Sequence, residues 1–390
     1  MLAVTCTAQS MDDPLSGLTV GERPDPVAPD GWVRVSLKAA ALNHHDLWSL
    51  KGVGLSADKL PMVLGCDGAG VLDDGTEVVV HAVVTSPTWT GDDTLDPKRS
   101  LLSEVHDGTL AEQVVVPARN VLPKPAELSW EQAACLPTAW LTAYRMLFTQ
   151  SGLRPGQTVL VQGAGGGVAT AAIVLARAAG FVVWATSRDE GKRAKALELG
   201  AHQAFESGAR LPGKVDAVLE TVGKATWSHS LRALRPGGTI VVSGATSGAD
   251  PLADLNRLFF LQLRVVGSTM GTRDELGALL RMVQACGRSS TTSGRCRRPL
   301  GASRRWLVGT CSASSSSRPD RSPGVVLPVH DINPTRRTPV VNYLLIAINV
   351  VVFVLSPVVT HVVGGDARAQ QCKQLAFFDQ YAAKPDELLH

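Results

Sequence analysis

The residues with the plainest chemistry lie in Val159 to Ala179, VLVQGAGGGVATAAIVLARAA. Gly163-Ala164-Gly165-Gly166-Gly167 followed by Val168 reads as a glycine turn between a β-branched run and an Ala-rich helical run. Glycine lets a backbone approach a ligand without a Cβ in the way. The free N–H groups at the following helix start then face an anion. Ala164-x-Gly166-x-x-Ala169 is a variant of the dinucleotide fingerprint, so the chemistry expected is diphosphate binding. The second strand should end at Ser187-Arg188, with Lys192 one helical turn on. An NAD site would carry Asp or Glu there for the ribose hydroxyls; Arg and Lys instead suit the extra phosphate of NADP. Gly223, the Gly244-Ala245-Thr246 turn and the Ser268-Thr269-Met270 turn end later strands at the same sheet edge and complete the expected cofactor site. The competing reading is a plain Gly-rich turn beside solvated cationic side chains.

These residues need a parallel sheet to hold them. Strands are predicted at 158–162, 181–186, 215–220, 238–243 and 263–268, with helices between them, for instance 189–199 and 225–234. Such alternation implies an α/β fold with the sheet covered on both faces. Residues 1 to about 125 read differently. Short apolar alternations such as Trp32–Leu37 and Glu77–Val80 are separated by Gly, Pro and Asp turns, which predicts a β-rich domain. Ser129-Trp130-Glu131-Gln132 is a capping box opening a helix, and a second helical run covers about 138–150.

At 390 residues the chain can hold two domains. A net charge of +3 gives no reason to expect a nucleic-acid partner. The seven Cys include no C-x-x-C pair, which argues against a disulfide framework or a Cys-rich zinc knuckle and suits a reducing compartment. No basic stretch followed by a long apolar one opens the chain, so no secretory signal is expected.

Six segments, in order, resemble the medium-chain dehydrogenase/reductase family on its quinone-oxidoreductase-like side: ALNHHDLWSLKG (41–52), LPMVLGCDGAG (60–70), AACLPTAWLTAYRML (133–147), VLVQGAGGGVATAA (159–172), KALELGA (195–201) and LRPGGTIVVSGATSG (234–248). The resemblance implies a GroES-like β-barrel catalytic domain (1–125) and a Rossmann NADP-binding domain (126–286), with a small-molecule substrate between them. Asn43, Cys66, Asp67 and Thr138 stand where zinc-dependent members hold their metal. Asn43 and Thr138 are poor zinc ligands, and adjacent His44 and His45 on an extended segment would point apart, so no catalytic zinc is expected. The region 86–110 lacks the four Cys of the family's structural zinc. Without metal, hydrogen bonds must stabilise charge on the substrate oxygen. The resemblance puts Asn43 beside the nicotinamide, with Asp46 to orient it. Trp48 replaces a Tyr of many zinc-free relatives, leaving Thr142 or solvent as proton donor. The implied activity is NADPH-dependent reduction of a quinone, enone or related activated carbonyl. Alternatives are a zinc-type alcohol dehydrogenase and an inactive membrane-tethered fragment.

After Cys286 the composition changes. Residues 288–324 hold eight Arg and one acidic residue, Asp320, so 287–325 is expected to be a disordered linker. Permitted codons for 288–294 and 312–317, read in shifted frames, spell Val-Val-Asp-Asp-Val-Arg and Phe-Gly-Lys-Leu-Val-Leu, the latter like the family's last strand. Residues 326–390 resemble the N-terminus and first membrane helix of bacterial rhomboid-type intramembrane proteases. Val340–Val363 is long enough to span a bilayer, which takes about 20 residues. Arg336-Arg337 before it would keep the catalytic part in the cytoplasm, anchored to the inner membrane. A frameshifted fusion would cost the Rossmann domain its sixth strand and the barrel its closing segment, and so weaken or abolish the family's homodimer. Sequencing the coding DNA over codons 280–325 should show open alternative frames; stop codons there would end the fusion idea.

Overall fold

The computed structural model describes residues 1–292 and 324–326; for 286–292 and 324–326 it describes the backbone course alone. The expected membrane span at 340–363 and the rhomboid-like segment lie outside the described residues, apart from Val326. Among the described residues no helix is long and apolar enough to cross a membrane.

The first domain is the expected β-rich one. Trp32–Ala41 is its central strand, paired antiparallel with Asp67–Leu72 and with Gln113–Pro117. Glu77–Val80 and Val121–Pro123 extend the sheet. Val35, Leu37, Val78, Val80, Val114 and Val116 alternate inward to form its core. Gly324–Val326 runs parallel beside Ala39–Ala41. The family's closing segment, expected around 312–317, lies outside the described residues.

The second domain is a six-stranded parallel sheet. Its strands are β1 (Thr158–Val161), β2 (Val182–Thr186), β3 (Gln203–Phe205), β4 (Val215–Glu220), β5 (Leu234–Val242) and β6 (Arg264–Gly267), in spatial order 3-2-1-4-5-6. Val159, Val161, Val183, Ala185 and Val241 face one helical layer; Leu160, Trp184, Val218 and Ile240 face the other. Burial on both faces explains why these strands read as continuous apolar runs. The further strand expected beyond Cys286 lies outside the described residues, and the six strands here are counted among the described ones. The five predicted strands are present, and β3, too short to show a period, is the sixth. The helix Arg273–Thr292 runs through Cys286 without a break; the remainder of the expected linker lies outside the described residues, apart from Gly324 and Val325.

The run from Trp130 to Gln150 joins the domains. Ser129 Oγ accepts from the Gln132 N–H at 3.2 Å and Gln132 Oε1 accepts from the Ser129 N–H at 2.9 Å, the predicted capping box. Two π-helical stretches, Leu136–Trp140 and Arg145–Gln150, widen the run. Arg145 is 4% exposed. It donates from Nη2 to Asp92 Oδ2 at 2.6 Å and from Nη1 to Glu275 Oε2 at 2.8 Å.

Among the described residues no strand pairs with the outer edge of β6. Val265, Phe259 and Phe260 beside it are 48%, 60% and 76% exposed. An unpaired strand edge flanked by large apolar side chains favours pairing with another chain. Sedimentation of the purified protein should therefore show a dimer, and Phe260→Asp should shift it to monomer. A wild-type monomer at micromolar concentration would restore the expectation of a lost dimer.

Candidate functional site

β1 ends at Val161, and the chain turns through Gly163 (φ +71°) and Gly165 (φ +115°) before a helix, Gly167–Ala178. No side chain caps that helix and no acidic residue lies in its first turn, so the N–H groups of Gly167 and Val168 are left for an anion. A Cβ at Gly163 would stand 2.5 Å from Val222, and one at Gly167 3.2 Å from Ala139. The turn is rooted by Ala164, whose N–H donates to the Thr186 carbonyl at 2.7 Å.

The other expected cofactor residues mostly gather here. Ser187 is buried at the end of β2, and Arg188 is exposed beyond it, with no partner for its guanidinium among the described residues. The Lys192 stem lies across Gly165, so its charge stands at the turn. Arg193, which sequence reasoning missed, donates from Nη1 to the carbonyls of Ser187 (2.9 Å) and Arg188 (3.0 Å) and shapes this corner. Gly223 (φ +89°) packs against Ala245 and the Gly248 carbonyl, bringing the Gly244-Ala245-Thr246 turn alongside. Met270, of the Ser268-Thr269-Met270 turn, packs on the barrel core.

The barrel contributes a polar cluster. Asn43 precedes the helix His44–Leu50, so His44 and His45 are helical rather than extended. Asp46, 4% exposed, accepts from the Asn43 backbone N–H at 2.7 Å and the Gly65 N–H at 3.1 Å. It fixes the backbone, not the amide. The amide is oriented by Asp67, whose Oδ2 accepts from Asn43 Nδ2 at 2.8 Å. Among the described residues, neither Asp67 Oδ1 nor Thr138 Oγ1, both buried, has a hydrogen-bond partner. Burial drives the Asp67 carboxyl up to about 7, against the pull of the Asn43 amide and of nearby Thr138. Thr142 is buried one helical turn beyond Thr138. Cys66 lies 3.4 Å from His45 Nδ1, and its thiol donates to the Leu102 carbonyl at 3.3 Å. His45 Nε2 meets Glu104 Oε1 at 2.8 Å. Burial, then Asp46, Asp67 and Glu104, push the Cys66 thiol well above its ordinary value. Ala139 touches Gly167 and Thr138 lies beside Asp67, so one helical run brings cluster and glycine turn together.

Comparison with known proteins matches these two regions separately. Residues 29–126 match the alcohol dehydrogenase GroES-like domain and 167–285 the zinc-binding dehydrogenase domain. The acryloyl-coenzyme A reductase of Sulfurisphaera tokodaii is 30% identical over 294 residues, covering 70% of this chain and 86% of that protein. The chain belongs to the medium-chain dehydrogenase/reductase family. An NAD-dependent alcohol dehydrogenase structure superposes with a TM-score of 0.68 at 36% identity, covering 74% of this chain and 90% of that one. A 2-octenoyl-CoA carboxylase reductase in complex with NADP and 2-octenoyl-CoA gives 0.68 at 25% identity, covering 73% and 80%.

The family name implies zinc, and the donor set here does not fit it. The Asn43 amide spends an N–H on Asp67, and the Cys66 thiol is turned to Leu102 and His45. Thr138 offers a neutral hydroxyl where zinc takes thiolate, imidazole or carboxylate.

The raised Asp67 value has a sign. The folded state holds this proton more tightly than the unfolded chain, so burial costs nothing at pH 4 and progressively more up to about pH 7. Asp67→Asn removes that cost. Urea unfolding should show the variant gaining on wild type from pH 4 to pH 7, by up to about 4 kcal/mol, then levelling off. A gap independent of pH would mean that Asp67 titrates normally.

Proposed function

We propose that the chain reduces an α,β-unsaturated acyl thioester, or a similarly activated enone or quinone, with NADPH and without a catalytic metal. The observation that carries this is Ser187-Arg188 with Lys192 beside an uncapped glycine turn, where an NAD site would present a carboxylate. The reductase relatives act on acyl-CoA by their names, and one is seen with NADP. Those are facts about the relatives; for this chain they favour an enoyl thioester over a quinone within the same class.

Bound in the crevice, the nicotinamide would supply the hydride. The chain's part is placement and electrostatics. The first-turn N–H groups hold the diphosphate, and Arg188 and Lys192 take the extra phosphate. Asn43 keeps one amide N–H beyond the bond to Asp67, and that donor can meet negative charge developing on the substrate oxygen. Asp67 orients it; Asp46 locks its backbone. Thr142 or water remains the source of the proton. The NAD-dependent alcohol dehydrogenase neighbour favours a second reading, alcohol oxidation with NAD. Against it stand the missing ribose-binding carboxylate and the donor set that does not suit zinc.

Purified protein should oxidise NADPH with crotonyl-CoA faster than with a quinone, and NADH only slowly. Arg188→Ala should raise the KM for NADPH about tenfold to a hundredfold, since charged hydrogen bonds carry about 1.5–3 kcal/mol, and leave that for NADH unchanged. NAD-linked ethanol oxidation by zinc-replete protein, with no NADPH turnover, would favour the second reading instead.

A further inference from the structure

Beneath the crevice lies a buried polar network to which the reaction above gives no task. Glu220, at the end of β4, is 0% exposed. Its Oε1 accepts from the backbone N–H groups of Val222 (2.8 Å) and Gly223 (3.0 Å). Thr226 Oγ1 lies 2.9 Å from both carboxylate oxygens, and Ser230 Oγ donates to Oε2 at 2.6 Å. No Lys or Arg pairs with it among the described residues. Ser230 Oγ in turn accepts from Gln162 Nε2 at 2.9 Å. Gln162 Oε1 accepts from Thr186 Oγ1 at 2.5 Å, and Thr186 Oγ1 lies 3.5 Å from the Gly163 N–H. Gln162 Nε2 also donates to His229 Nδ1 at 2.9 Å, leaving Nε2 of that ring to donate to the Ala209 carbonyl.

The chain of donors has one direction. Gly163 N–H gives to Thr186, Thr186 to Gln162, Gln162 to Ser230 and Ser230 to Glu220. Every link ends on one carboxylate, and the ends of β1, β2 and β4 are tied through it. A buried carboxylate without a counter-charge is costly unless donors surround it, and an apolar residue would pack at lower cost. What the carboxylate adds is fixed direction for the backbone amides around it.

We propose that Glu220 is a positioning residue for the dinucleotide. It holds the turn at 221–223 directly and the glycine turn at 163–167 through Ser230, Gln162 and Thr186. The assignment rests on the dinucleotide reading above. Glu220→Gln keeps the size but puts a donor among donors. Hydrogen exchange followed by mass spectrometry on the full chain should show peptides spanning 162–168 and 221–225 exchanging faster, with 234–242 unchanged. In the same variant the Kd for NADPH, by fluorescence titration, should rise about tenfold, the scale of one buried hydrogen bond, while kcat at saturating NADPH stays within about twofold. A lowered melting temperature with unchanged exchange and Kd would make Glu220 a mere prop and overturn the proposal. Ser230→Ala cuts only the branch to the glycine turn. It should loosen 162–168 and spare 221–225, and it decides the matter if Glu220→Gln does not fold; unchanged exchange in it overturns the proposal. The exchange readout needs no nucleotide. Wild type that binds no NADPH would sink the cofactor reading and this assignment together; unchanged exchange with intact NADPH binding sinks the assignment alone.

Discussion

The Arg145 guanidinium is the constraint on which the rest of the arrangement depends. It is buried where three pieces of chain meet: the loop at Asp92 from the barrel, the helical run 130–150, and the helix beginning at Arg273. Each anionic partner comes from a different piece, so the ion pairs exist only when the two domains sit in one relation. Glu275 is further committed, accepting from the Thr272 N–H at 2.7 Å and from Thr149 at 2.5 Å. His81 Nε2 lies 2.9 Å from the Gly271 carbonyl, and Asp93 accepts from the Arg273 N–H at 2.7 Å. Breaking one partner of such a buried set costs far more than the set contributes against an apolar core, so its effect is to specify geometry.

In the proposed reaction that geometry would matter, because the groups it uses come from both domains. The glycine turn and its cationic corner belong to the parallel sheet, at the point where strand order reverses between β1 and β4. The amide that can meet a substrate oxygen belongs to the barrel. Ala139 against Gly167 and Thr138 beside Asp67 show how closely the helical run spaces the two. A side chain larger than Ala at 139 would push against the one helix start that must stay open.

What could be read in the sequence followed from period and local chemistry. VVWAT and VDAVLE announce buried strands because both faces are covered, and Ser129…Gln132 announces a helix start because both halves of the capping box lie within four residues. The Asn43…Asp46 pair carries the same kind of signal, an acceptor three residues after a helix-starting amide, and reading it would have made His44 and His45 helical. β3 was invisible because three residues cannot display a period. Glu104 beside His45 could not be found from spacing at all. It comes from a loop 59 residues away, presented next to Ser103 at φ +70°.

The barrel cluster is strongly polar, yet its donor set does not suit zinc. Zinc draws charge by holding a ligand oxygen in its own field. Here the same neighbourhood holds two buried carboxyls, Asp46 and Asp67, and burial raises both, Asp67 to about 7. They are compensated by N–H donors rather than by a cation: Asn43 and Gly65 backbone groups for one, the Asn43 amide for the other. In the proposed reaction the two carboxyls would act on substrate through Asn43, Asp67 by orienting its amide and Asp46 by fixing its backbone. A neutral donor stabilises developing charge less than a divalent ion does, so the proposed metal-free reaction would favour substrates already activated by conjugation over unactivated alcohols.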